Sequence, residues 1–155
     1  RREHSAVTLV ALPFEQLVPG LRLRSEPRTI TEADVAVFAD VTGDHNPLHL
    51  DAEWAAASPF GERIAHGMLV LSAAVGQVGF DPERVLALRR IRDATFKRPV
   101  RLGDAITVIV GVDEARELDA GSGLVTFTLR IENQRGELVS RASIEAIWRR
   151  EEAPC

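Results

Sequence analysis

At 155 residues, with 19 Lys+Arg against 23 Asp+Glu, the chain carries a formal net charge of −4. With 45% apolar and 27% charged residues, it reads as one ordinary globular domain over 1–155, not a disordered tail or a fibrous repeat. The acidic balance also argues against a nucleic-acid module, which neutralises phosphates with a net basic surface.

The only cysteine is the last residue, Cys155, so no disulfide can form within the chain, and a reducing compartment is expected. Arg1-Arg2-Glu3-His4 does not open a leader pattern, which makes a cytoplasmic location the expectation. The most apolar stretch, Met68 to Val75, is far short of the roughly 20 residues that cross a bilayer, so no membrane partner is expected. Arg89-Arg90-Ile91-Arg92 and Arg149-Arg150 read as solvated strand edges.

In chain order, a strand is expected near Leu21 to Thr29. Thr31-Glu32-Ala33-Asp34 resembles a capping box with Asp in place of Glu, leading into apolar positions Val35, Phe38, Ala39 and Val41 at near-helical spacing. Gly43 is the natural stop. Asp51 can cap a short Ala-rich helix through Ala52 to Ala57, which Ser58-Pro59 ends. From His66 to Val78 the chain is apolar on every side, which predicts a helix surrounded by protein.

Beyond it the period changes to two. A strand is expected over Arg90 to Val100, and Ile106, Val108, Val110 and Val112 alternate with less apolar neighbours. Val125, Phe127, Leu129 and Ile131 do so more cleanly, and Ala142, Ile144, Ala146 and Trp148 follow the turn Asn133-Gln134-Arg135-Gly136. Short polar turns imply antiparallel pairing, and clean alternation implies one wet sheet face. The dry face needs a cover that only the 66–78 helix can supply. The fold class is therefore α+β, a curved antiparallel sheet around one central helix.

The densest polar information lies in Gly43-Asp44-His45-Asn46-Pro47-Leu48-His49. Pro47 keeps Asp44 and His49 off one continuous helix, and a tight turn can bring both side chains to one point. A carboxylate and an imidazole on one water are what acid/base chemistry near neutral pH requires. Spacing alone leaves a second reading, in which Asp44 caps the following turn and His49 is simply packed. His45, His49 and His66 do not form a metal set by spacing, because Pro47 spoils the shared helical face and no fourth ligand is near. His4 carries no signal. At Ile64-Ala65-His66-Gly67-Met68 the helix start offers unpaired N–H groups to developing negative charge. Gly67 either permits close approach there or serves only the tight approach of the chain to the helix.

Phe38-x-x-x-Thr42-Gly43-Asp44-x-Asn46-Pro47-Leu48-His49, with Ala55 after five more residues, resembles the signature of the (R)-specific enoyl-CoA hydratases, the MaoC-like or hydratase-2 family. Ala65-His66-Gly67-Met68 and Phe96-Lys97-Arg98-Pro99-Val100-Arg101-Leu102-Gly103-Asp104 resemble its next two segments. The resemblance implies a single hot-dog fold, a homodimer and reversible hydration of a trans-2-enoyl thioester to an (R)-3-hydroxyacyl product. It implies that Asp44 and His49 hold the water, that the Gly67 amide binds the thioester oxygen, and that Asn46, Pro47 and His66 support the turn.

On the same footing, Val70, Leu71, Ala74, Trp54 and Phe60 would line the acyl pocket, and Lys97 and Arg98 would meet the substrate's phosphates. No cofactor is implied beyond the CoA or phosphopantetheine that the substrate carries. One rival is a 3-hydroxyacyl dehydratase acting on acyl carrier protein, for which Lys97, Arg98 and Arg101 would form the basic mouth. Another is a non-catalytic hot-dog subunit, which would be expected to lack the Asp44/His49 pair.

Overall fold

A computed structural model describes residues 8–151; His4 and Cys155 lie outside the described residues. A 3-10 turn at Phe14–Gln16 is followed by strands β1 (Arg22–Arg24) and β2 (Arg28–Thr29), and then by helices α1 (Glu32–Thr42), α2 (Pro47–Leu50), α3 (Ala52–Ala56) and α4 (Gly67–Val78). Four long strands close the chain: β3 (Val85–Phe96), β4 (Ala105–Glu117), β5 (Ser122–Glu132) and β6 (Leu138–Arg149). The sheet is six-stranded in the order β1-β4-β5-β6-β3, with β2 also on β4, and every pairing is antiparallel.

Alternation decides which face is dry. Ile106, Val108, Val110 and Val112 of β4 point inward with Val125, Phe127, Leu129 and Ile131 of β5 and Ala142, Ile144, Ala146 and Trp148 of β6; none is more than 5% exposed. Leu69, Val70, Leu71, Ala73, Ala74 and Val78 of α4 pack in the same core. Burying each larger side chain of this set is worth about 1.5–3 kcal/mol. The one polar atom of the Trp148 ring is satisfied, since Nε1–H donates to the Leu12 carbonyl at 3.1 Å.

Three expectations are corrected. The strand over Leu21 to Thr29 is broken into β1 and β2, because Pro27 has no N–H for the ladder. At the break, the Ser25 amide donates to the Val108 carbonyl and the Ser25 hydroxyl accepts from the Val108 amide, both at 2.9 Å. The strand predicted over Arg90 to Val100 runs instead from Val85 to Phe96. It stops there because the Lys97 and Arg98 amides both turn to the Val139 carbonyl, at 2.8 and 3.1 Å. Finally, α4 is not covered all round within one chain. Met68, Ser72 and Gly76, a stripe at four-residue spacing, face outward, because the sheet covers only the opposite side.

β3 is an edge strand. From Leu86 to Phe96 all its residues are exposed, including Leu86, Leu88, Ile91 and Phe96. On the neighbouring β6, Glu145 is buried and lies 3.6 Å from Arg90 and 3.2 Å from Arg92. Part of the Arg89–Arg92 charge is thus spent within the sheet. Among the described residues, no helix is long and apolar enough to cross a membrane.

Candidate active site

The turn between α1 and α2 is built from local bonds. The Thr31 side chain caps α1 by accepting from the Asp34 amide, and the Asp34 carboxylate accepts from the Thr31 amide in return. α1 ends at Gly43, whose φ of 77° lies in the left-handed region. The Thr42 hydroxyl donates to the Phe38 carbonyl at 2.6 Å and accepts from the Asp44 amide at 3.2 Å. Asn46 then starts α2, its Oδ1 accepting from the Leu48 amide at 3.0 Å. Pro47 occupies a first-turn position, where a missing N–H costs nothing.

This folding brings a carboxylate oxygen of Asp44 and one ring nitrogen each of His49 and His66 within 4.8 Å of one another. Both sequence readings have a part in it. Asp44 Oδ1 accepts from the Asn46 amide at 3.3 Å and so shapes the turn, while His49 is half-buried. Even so, the two side chains converge as acid/base chemistry requires.

The partners of the rings set their tautomers. His49 Nδ1 lies 2.7 Å from the Ile64 carbonyl oxygen. A carbonyl only accepts, so Nδ1 carries the proton and Nε2 is left as a lone pair able to take one. His66, 2% exposed, places Nε2 at 3.0 Å from the Asp44 carbonyl oxygen. The His49 and His66 rings stack with centroids 3.8 Å apart and planes 28° apart. A carboxylate with two imidazoles is a donor set a metal can use, but near-parallel rings do not direct their lone pairs to one ion at the ~2.0–2.1 Å a Zn–N bond needs. His45 takes no part, its Nε2 lying 3.3 Å from an Asp40 oxygen.

Gly67 is the first residue of α4, so its N–H is among those with no partner inside the helix. It sits at the positive end of the helix dipole. Its φ is not in the left-handed region, so the tight-turn explanation for this glycine is not needed. A Cβ here would instead fall 2.8 Å from Phe96 Cδ1, and the glycine is what lets the Phe96 ring reach the helix start.

A cavity of about 200 Å³ opens beside this amide, lined by Gly67, Val70, Phe60, Phe96, Lys97 and Arg98 among others. Leu71 and Ala74, expected in its wall, are in the core instead. Leu71 is rotated about 100° around the helix from Val70, and Ala74 lies a turn deeper. Trp54 is turned out to solvent, because α3 buries only Ala55. Arg98 donates to the Leu138 carbonyl at 2.8 Å, and Arg101 is held by the Phe60 carbonyl and Glu62. Among the described residues, Lys97 has no such ion pair. A larger hollow of about 420 Å³ on the sheet, between Gly20 and Arg141, shares no residue with this site.

Sequence reasoning missed Phe96, the Ile64 carbonyl and the bond from His66 to Asp44. Phe96 stood inside a segment already singled out. Backbone carbonyls leave no signal in side-chain identity.

Comparison with known proteins agrees with the fold. Residues 15–134 match the family described as MaoC like domain. The chain is 41% identical over 111 residues to 3-hydroxybutyryl-CoA dehydratase of Methylorubrum extorquens, covering 68% of this chain and 67% of that one. It is 39% identical over 106 residues to the (R)-specific enoyl-CoA hydratase of Aeromonas caviae, covering 68% and 77%. The solved structure of R-hydratase PhaJ1 from Pseudomonas aeruginosa superposes with a TM-score of 0.73 at 35% identity, over 92% of this chain and 94% of that one. Protein MaoC of Klebsiella aerogenes is 43% identical over 98 residues, 61% of this chain, but the match spans only 29% of that longer protein. The chain belongs to the MaoC-like domain family, and its fold is the hot-dog fold of that family.

Proposed function

We propose that the chain is a hydro-lyase that adds water reversibly across the double bond of a trans-2-enoyl-CoA, giving an (R)-3-hydroxyacyl-CoA. The convergence of Asp44 and His49 beside the segment that leads into the helix-start amide of Gly67 carries this reading. The names of the two relatives described above support the substrate class. Water held by the Asp44 carboxylate and His49 Nε2 attacks C3, its proton passing to the base. Negative charge collects on the thioester oxygen, where the Gly67 N–H stabilises it as an oxyanion donor. The proton then returns to C2. Dehydration is the same path reversed.

The working unit of this reading is a homodimer joined along β3. That strand presents a row of unpaired backbone groups and exposed Leu86, Leu88 and Ile91. Its end, Phe96, leads into the cavity wall, so a partner strand there would help enclose the substrate. Lys97 at the cavity mouth is suited to a phosphate of CoA. With Arg98 paired to Glu137 and Arg101 to Glu62, the mouth is less basic than docking of an acidic carrier protein favours.

Asp44→Asn and His49→Ala are each expected to keep the fold, judged by circular dichroism, and to lose at least about a hundredfold in crotonyl-CoA hydration. Near-normal turnover in either variant, or an (S)-configured product from longer enoyl-CoA substrates, would overturn the assignment.

A further inference from the structure

Three contacts pin the turn that carries Asp44 and His49 to the segment leading into α4. The Ile64 amide donates to the Leu48 carbonyl at 3.4 Å, His49 Nδ1–H donates to the Ile64 carbonyl at 2.7 Å, and His66 bonds the Asp44 carbonyl at 3.0 Å. The third contact is made by the residue immediately before Gly67. Of the three, the contact nearest to the oxyanion amide in the chain therefore runs through the His66 side chain.

The His66 ring is not there to cap the helix. It stands at the N-cap position, yet its side chain makes no cap bond. Its Nδ1 is buried with no partner among the described residues. The bond to Asp44 and the packing of its faces decide its orientation: it stacks on His49, and the Phe38 ring lies 4.9 Å from its centroid at 58°.

We propose that His66 is a positioning residue of the hydration reaction, holding the Asp44 backbone through Nε2–H and the plane of the His49 imidazole through its face. The role rests on the function proposed above. His66 touches no reacting atom in it; it sets the separation between the water held by Asp44 and His49 and the charge received at Gly67.

Two variants separate the bond from the stack. His66→Phe keeps a ring of similar shape without the N–H, and His66→Gln keeps an amide N–H near the reach of Nε2 without the ring. In the full chain, kcat for crotonyl-CoA is expected to fall about 10- to 100-fold in His66→Phe, the scale of a small misplacement of reacting groups, with KM and Tm little changed. His66→Gln is expected to recover several-fold of that loss. Wild-type kcat in His66→Phe overturns the proposal, as does an equal loss in both variants that follows a fall in Tm.

Imidazole ¹⁵N shifts of the substrate-free protein give a readout independent of turnover. His66 protonated on Nε2 and His49 on Nδ1 are expected, and the opposite tautomer at His66 overturns the proposal. A wild-type chain with these tautomers that hydrates no enoyl-CoA would instead sink the reaction itself, and this role with it.

Discussion

Gly67 shows how one missing side chain serves two needs. Its amide starts α4, and its bare Cα makes room for Phe96, whose ring would lie 2.8 Å from a Cβ. Gly67→Ala forces that ring or the helix start to move. Phe96 is half exposed and has room to yield, so the expected stability cost is near the lower end of an overpacking change, about 1 kcal/mol. Activity is expected to fall by more than stability does, because the yielding Phe96 ring lines the same cavity as the oxyanion donor. A double-mutant cycle with Phe96→Ala checks this. The clash predicts that the two changes are not additive, since removing the ring relieves the strain of the added methyl. Strict additivity in Tm and kcat would count against the close approach.

At the level of elements, local chemistry was the most readable. The Thr31/Asp34 capping box, the left-handed Gly43 and the Asp51 cap of α3 stand where the residue types called for them. The same holds for the turn after β5, where the Asn133 side chain accepts from the amides of Arg135 and Glu137. The Glu137 carboxyl there is held below its ordinary range, first by the Arg135 hydrogen bond and then by that of Asn133. A lowered carboxylate pKa stabilises the fold above the unfolded value, and the stabilisation is lost as pH falls through the folded one. At this exposed site the effect is small and screened by salt. A ¹³C carboxyl titration is expected to place the Glu137 midpoint below that of a free Glu, and Arg135→Ala to move it upward. An unmoved midpoint would show that the ion pair is not populated in solution.

For the whole molecule, the decisive feature is an unpaired edge. An exposed edge strand is an aggregation risk unless it is blunted or paired; three register shifts and Arg89, Arg90 and Arg92 blunt β3 in part, and the proposed dimer pairs it. Sedimentation is expected to give a species of twice the 17.0 kDa chain mass. Leu88→Arg with Ile91→Arg, which adds like charge to the Arg89, Arg90 and Arg92 already on the edge, is expected to shift that species toward monomer. Hydration is expected to fall with it, because the same strand ends in the cavity wall. A fully active monomer would separate β3 pairing from function.

The strand periods, the apolar helix and the capping residues are carried by neighbours a few positions apart, so the sequence alone determined the α+β class and most of its elements. It also marked Asp44, His49 and Gly67 as candidates, because a broken helix and a glycine at a helix start have local signatures. Tertiary structure decided the rest. Which α4 residues reach the cavity followed from helix rotation against the sheet. Phe96 entered the site from 29 positions beyond Gly67. The tautomers of His49 and His66 were set by the carbonyls of Ile64 and Asp44, distant in sequence and silent in side-chain identity. Proximity between such groups exists only once the chain has closed on itself, which is why no reading of local pattern supplies it.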